Sequence, residues 1–487
     1  MKVDISYSSV FKMIGRLLIV LGIMLLVPLA VELIDGEKEW RGFVMAIAIC
    51  AVLGGGLWYW LRDRKLSIGR REGFMLVTLV WIVYSAVGMI PYMMSKGALG
   101  FSDAYFETMS GFTTTGATVM ADVEGLSKGV LLWRSMTQWI GGLGIILFML
   151  AVLPSLDQKG GVPLYNAETT GITHDKLHPQ IRQTATTLWI VYIGLTIALI
   201  ALLWAGPMNL FDSICQAFTA ISTGGFSTRN AGIAYWDSDY VNVVLTVFML
   251  LGGVNFALIY AFCRGRFSLL LKNDVFRAYL FLIAVAYVGL AVSLIVQGRA
   301  TSVSDTFIQP MFHVVSTITT TGFGLPDYAS WGPFCLLITF LLMLSGACAG
   351  STTGAIKVDR LVAMYKNLKN QISRTLYPNR IYLVRVNGVT VSPDDVRKMH
   401  AFITLYIILT VTGALVLSGF GISLDDSFFA VISCIGDNGL GYGLTGVAGG
   451  YHFLPDSTKW VLSFLMLAGR LELYTVLVFF FASFWKK

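Results

Sequence analysis

Ten apolar stretches recur along the chain, near residues 14–34, 42–61, 74–94, 130–154, 186–206, 240–263, 278–297, 333–365, 399–420 and 459–484. Each reaches or approaches the roughly 20 residues that a helix needs to cross a bilayer. In lipid, backbone N–H and C=O groups must be satisfied within the protein, so such a chain folds as a set of membrane helices. Composition agrees. Only 13% of the 487 residues are charged, against roughly 25% in a soluble domain, and a larger core cannot explain the deficit because a surface in water still needs polar cover. The first stretch is too long for a signal-peptide core, and Pro28-Leu29-Ala30 is a poor cleavage site, so it reads as a retained first helix.

The connections alternate in charge. One carries Arg62, Arg64, Lys65, Arg70 and Arg71; others carry Lys159, Lys176 and Arg182, then Arg264, Arg266, Lys272 and Arg277, then a basic run from Lys357 to Lys398. By the positive-inside rule these loops are cytoplasmic, and Lys2, Lys12, Arg16 and Lys486-Lys487 put both termini on the same side. The net charge of +7 is loop charge of this kind; no basic stripe interleaves with aromatics, so no nucleic-acid partner is expected. Six cysteines show no metal spacing. The five histidines are scattered, with no HExxH or GxSxG, so no catalytic residue is assigned and an intramembrane enzyme is excluded.

Between the spans lie short semi-polar stretches rich in Thr, Ser and Gly. Ten spans keep the charge alternation only if each of these enters and leaves on the outer side. They are therefore re-entrant, which is tolerated only around a water-filled path or within protein. Setting Gly116, Gly224, Gly322 and Gly439 in register gives intervals of 224−116 = 108, 322−224 = 98 and 439−322 = 117 residues. One residue earlier stand Thr115, Thr223, Thr321 and Asn438; two earlier stand Thr114, Ser222, Thr320 and Asp437. Asp103, Asp212, Asp305 and Asp426 open the stretches and can cap the N–H groups of a short helix. One such stretch would pass for an ordinary loop or a close-packing motif; four in register do not.

The predicted fold is all-α and membrane-integral, with four helix–P-loop–helix repeats around a pore, preceded by two extra membrane helices. The extension covers residues 1–66. Repeat one is 67–157 (P-loop 103–118), repeat two 158–266 (212–228), repeat three 267–370 (305–324) and repeat four 371–487 (426–443). Short helices entering from outside aim their partially negative C-terminal ends at the membrane centre, which favours a cation. Glycine after Thr-Thr lets the backbone turn its carbonyls inward, and rings of carbonyls replacing a hydration shell are how a potassium filter works.

The segments FTTTGAT (112–118), ISTGGFST (221–228), ITTTGFG (318–324), MLLGGVNFALIY (249–260), GACAGSTTGAIK (346–357) and GRLELYT (469–475) together resemble the Trk/Ktr/HKT superfamily of potassium transporters, most closely its TrkH-type subunits, over nearly the whole chain. The resemblance implies a potassium filter at the four glycines and the residues before them, with K+ as the transported ion and no other cofactor. It further implies a homodimer with one pore per protomer in a bacterial inner membrane. Its expected gating partner is a cytoplasmic TrkA-type ring of nucleotide-binding RCK domains, docking on residues 157–185 and 357–398. Serine at the first glycine marks sodium-permeable relatives, so Gly116 points to potassium. One departure stands out: Leu440 replaces the usual proline of the fourth segment, and Asp437 adds a carboxylate.

The apolar run 333–365 cannot be one clean helix, because Gly346, Gly350, Ser351, Thr352, Thr353 and Gly354 interrupt it and glycine costs about 1 kcal/mol per residue in a helix interior. Arg470 lies at similar depth in the last span, where an arginine is a functional hypothesis by default. The expectation is a flexible gate over 346–354, held closed or electrostatically shaped by Arg470; the resemblance implies the same. The rival function is a proton- or sodium-coupled carrier, for which the ionisable candidates are Glu107, His313 and Asp437.

Overall fold

The structure, a computed structural model, describes residues 5–64, 66–144, 181–299, 301–324, 328–446 and 449–486. Two long helices lead: α1 (Tyr7–Asp35) and α2 (Trp40–Trp60). Small residues let them touch. A Cβ on Gly15 would stand 3.0 Å from the Gly54 carbonyl oxygen, and one on Gly22 3.0 Å from the Cys50 Cβ, the close approach that membrane helices use when lipid offers no hydrophobic drive.

Four units of similar plan come next. The first has α3 (Arg70–Met93), the short α4 (Phe101–Phe112) and α5 (Lys128–Gly142). The second has α6 (Ile181–Trp204), α7 (Leu210–Ile221), then α8 (Asp239–Gly252) and α9 (Phe256–Cys263). The third has α10 (Asp274–Val296), α11 (Gln309–Ile318), α12 (Pro333–Leu344) and α13 (Val358–Leu376). After a two-stranded hairpin, β1 (Arg385–Val386) with β2 (Val389–Thr390), the fourth has α14 (Pro393–Gly419), α15 (Leu424–Ile435), α16 (Asp456–Arg470) and α17 (Tyr474–Phe480).

The chain is a multi-pass membrane protein. Six described helices are long and apolar enough to cross a bilayer, and two further pairs qualify only as bent spans. Their outer faces carry exposed Ile23, Val27, Phe281, Val285 and Val292, the surface lipid would cover. The short helices α4, α7, α11 and α15 are instead buried for most of their length.

Ten spans were expected, with the run 333–365 interrupted; the structure shows that interruption and ends the corresponding helices of the other units early as well. In every unit the helix that follows the short buried helix stops partway: α5 at Gly142, α8 at Gly252, α12 at Leu344 and α16 at Arg470. The chain turns by 105° between α8 and α9, and by 114° after α16. Gly252-Gly253 allows the first bend, since a Cβ on Gly253 would meet Ala347 and Thr319 at 3.0 Å. The stretch after Gly144, including the expected docking loop up to residue 180, lies outside the described residues.

The opening acids are not the caps either. Asn209 and Ser423 cap α7 and α15 by accepting the backbone N–H of Asp212 and Asp426. The carboxylates, three residues further on, tie down the segments beyond the short helices. Asp212 accepts from Thr228 at 2.7 Å and Arg229 at 2.8 Å, and Asp426 from Leu444 N–H at 3.0 Å. Asp103 pairs with buried Lys459 at 2.5 Å.

Candidate ion pathway

Each short helix runs into a segment of the same unusual backbone. Left-handed φ values occur at Thr114 (58°) and Gly116 (83°), Thr223 (53°) and Gly225 (83°), Thr320 (51°) and Gly322 (78°), and Asp437 (51°) and Gly439 (75°). The residue between them donates its N–H back into its helix: Thr115 to Ser110 at 2.9 Å, Gly224 to Thr219 at 2.8 Å, Thr321 to Ser316 at 2.9 Å, Asn438 to Ser433 at 2.9 Å. A left-handed non-glycine residue costs roughly 1–2 kcal/mol, so four of them in equivalent places require structural support.

This geometry moves the second segment by one residue. Gly225, not Gly224, is equivalent to Gly116, and Ser222 is the C-cap of α7, equivalent to Thr113. The intervals become 225−116 = 109, 322−225 = 97 and 439−322 = 117. Gly224-Gly225 offers two candidates in sequence; only the φ pattern chooses between them.

The four segments close on one another. A side chain on Gly116 would run into the carbonyl oxygen of Gly224, one on Gly225 into that of Thr321, one on Gly322 into that of Asn438, and one on Gly439 into that of Thr115. The result is a ring in which every unit touches the next. Gly224 O also accepts from Gln138 Nε2 at 2.6 Å. Among the described residues no three His, Cys, Asp or Glu side chains converge on a metal position; the ring segments carry backbone carbonyls, threonine hydroxyls and the single carboxylate of Asp437. On the other side of the segments, Glu107 pairs with Arg134 at 2.9 Å, both fully buried, while Glu107 accepts from Val119 N–H and Arg134 donates to Ser227 O.

Beneath the ring lies the layer of helix breaks. The segment after α12 is held on several sides. Cys348 N–H donates to Gly253 O at 3.0 Å, Asn255 Nδ2 to Ala349 O at 2.8 Å, and Phe256 N–H to Gly350 O at 3.1 Å. Thr352 Oγ1 accepts from Thr223 at 3.0 Å, Gly354 N–H donates to Thr320 Oγ1 at 2.9 Å, and Gly346 N–H to Ile356 O at 2.9 Å. Ser351 and Thr353 share a hydroxyl contact of 2.8 Å. Arg470 joins three units: it donates to Thr352 O at 2.7 Å, to Thr114 Oγ1 at 3.1 Å, and to Gly141 O and Gly142 O at 2.6 Å each. Glu472 pairs with Arg360 at 2.5 Å rather than with Arg470.

The chain matches the family model described as "TrkH: Cation transport protein" over residues 41–487. It is 33% identical to the Trk system potassium uptake protein TrkH of Escherichia coli (strain K12), over 99% of this chain and all of that protein. It is 35% identical to the TrkG protein of the same organism, over 98% of each. The crystal structure of the potassium transporter TrkH from Vibrio parahaemolyticus superimposes with a TM-score of 0.90 at 31% identity, covering 99% of this chain and 100% of that one.

The chain belongs to the TrkH family. The resemblance carried by the six sequence motifs is thereby established, and the family is one of transport proteins rather than enzymes. In this TrkH-family chain some site residues gave no clear signal in sequence. Gln138, Arg134 and Gly225 were not singled out, although Arg134 is a basic residue inside an apolar stretch and signalled a buried partner. Thr319 and Thr113 share hydroxyl contacts with Thr321 and Thr115 at 2.7 and 2.8 Å. The threonine runs thus brace their own turns.

Proposed function

We propose that this protein is the potassium-selective conducting subunit of a bacterial Trk-type uptake system. The closed ring of four left-handed segments carries the reading. It converges the C-terminal ends of four short helices, where a cation is favoured, and supplies carbonyls that can replace its hydration shell. In this reading K+ contacts Thr114, Thr115 and Gly116; Thr223, Gly224 and Gly225; Thr320, Thr321 and Gly322; and Asp437, Asn438 and Gly439. Ser222 supports the second segment as a cap. Gly346–Gly354 is the gate, and Arg470 latches it by its bond to Thr352 O. The hydrogen bonds along 346–354 make this a pinned segment, so opening breaks specific bonds rather than drawing on looseness.

The relatives' names supply potassium as the cargo. The assembly proposed is a homodimer in the bacterial inner membrane, termini cytoplasmic, with a TrkA-type nucleotide-binding ring on the cytoplasmic loops and lipid around the spans.

The test is the reversal potential of purified protein in liposomes under opposed potassium and sodium gradients, with Gly116→Ser alongside. A potassium-selective potential that weakens in Gly116→Ser is expected, since a side chain there meets the Gly224 carbonyl at a left-handed φ. A potential that follows pH or sodium would replace this reading with a coupled symporter.

A further inference from the structure

Three of the four left-handed positions before the ring glycines carry threonine, and the fourth carries Asp437. Each threonine hydroxyl is engaged by the layer beneath. Thr114 accepts from Arg470, Thr223 donates to Thr352, and Thr320 accepts from Gly354 N–H. Asp437 differs. Its Oδ1 accepts from Thr115 Oγ1 at 3.0 Å, whereas Oδ2 is buried and has no hydrogen-bond partner among the described residues. That oxygen sits in a slot between the gate segment and the end of α16. A Cβ on Gly354 would lie 3.0 Å from it, and one on Gly469 3.4 Å. At both positions a Cβ would also run into a backbone carbonyl, of Gly436 and of Ile435, so the walls of the slot are backbone packed against the carboxylate. Tyr406, 1% exposed, ends close by in a hydroxyl that also has no partner among the described residues. The charged groups facing Asp437 are Arg470 and Lys357.

A buried carboxylate oxygen without a hydrogen bond is costly, the more so inside a membrane protein. This one lies between the fourth ring segment and Gly354 of the segment beneath it. We infer that Asp437 Oδ2 is a binding position for a monovalent cation, covered by Gly354 in this structure and uncovered when segment 346–354 moves. The inference rests on the pore reading above. One carboxylate among neutral hydroxyl and carbonyl oxygens suits a single positive charge; a divalent ion takes more oxygens and more charge. Because the position is accessible only with the segment displaced, occupancy favours displacement, by linkage. The permeating ion thus promotes its own gate's opening, and the other three units, with threonine, have no equivalent.

The test uses the full chain in proteoliposomes, with rubidium as the probe. Asp437→Asn keeps size and an acceptor for Thr115; Asp437→Thr restores the residue of the other three units. Both are expected to raise the half-saturating Rb+ concentration for uptake about tenfold, near 1.4 kcal/mol. A second readout follows Cys348, buried in the gate segment, by peptide-resolved thiol labelling in a Cys263→Ser background. Rb+ in place of choline should speed labelling in the parent chain and leave Asp437→Asn unchanged. An unaltered half-saturation, a Rb+ effect on labelling that survives in Asp437→Asn, or loss of all uptake in both well-folded variants would overturn the inference. A parent protein that carries no Rb+ at all would instead overturn the pore reading.

Discussion

The ring and the layer beneath it are built on opposite plans. In the ring, four units place the same backbone angles, the same return hydrogen bond and the same glycine at equivalent points, so each segment meets the next in the same way. In the layer beneath, the helices that follow the short helices end by four different means. They use Gly141-Gly142 before Gly144, a Gly-Gly-Val-Asn bend, a long glycine and hydroxyl segment, and an arginine end. A site that must surround a desolvated ion gains from equal ligands on every side. A gate needs one part that moves against others that stay, and equal units would give no such difference. The asymmetry is concentrated in segment 346–354, where Thr352 meets Thr223 of the ring and Arg470 at the end of α16, and Gly354 meets Thr320 of the ring.

The sharpest way to break this contrast is to damage one ring position and ask whether the others compensate. Gly225→Ala should reduce potassium flux on the order of 100-fold, equivalent to roughly 2.7 kcal/mol, because its side chain meets a backbone carbonyl at a φ of 83°. Gly224→Ala meets only the end of the Gln138 side chain at an ordinary φ and should lose about tenfold less. Equal losses in the flux assay would return the register to the one read from the glycines alone.

The second test concerns the layer. Arg470→Ala removes bonds to two other units at once and should raise flux about tenfold, the scale of a 1.4 kcal/mol bias on a two-state gate. Unchanged flux in a folded protein, checked by thermal melting, would leave Arg470 as an anchor for carbonyls. The smallest effect should come from Thr352→Val, which removes a hydroxyl that accepts from Thr223 and lies at 3.3 Å from the Ile221 and Gly252 carbonyls, together worth about 1 kcal/mol. A change in flux of up to about fivefold is expected, with the potassium-to-sodium ratio unaltered. A shifted ratio would mean that ring and gate are one device and not two.

Much of this molecule could be read without coordinates. Apolar run lengths alone require membrane helices, because lipid leaves backbone groups no partner outside the protein. The Thr-Gly stretches announce their repetition at a period of about one hundred residues. The break over 346–354 follows from glycine's helix penalty, and Arg470 from the rarity of buried charge. What the chain could not reveal alone depended on contacts between units. Which of Gly224 and Gly225 closes the ring is decided by φ, which both glycines permit. The ends of α5, α8 and α16 lie in runs whose apolarity continues past them, so hydropathy passes over the breaks. That Asp212 and Asp426 fasten loops, while Asn209 and Ser423 cap, rests on a three-residue offset that only placed atoms resolve. The physical reason is common to all: hydrophobicity and propensity act along one segment, whereas a ring, a latch and an unpaired Asp437 oxygen exist only where four distant segments meet.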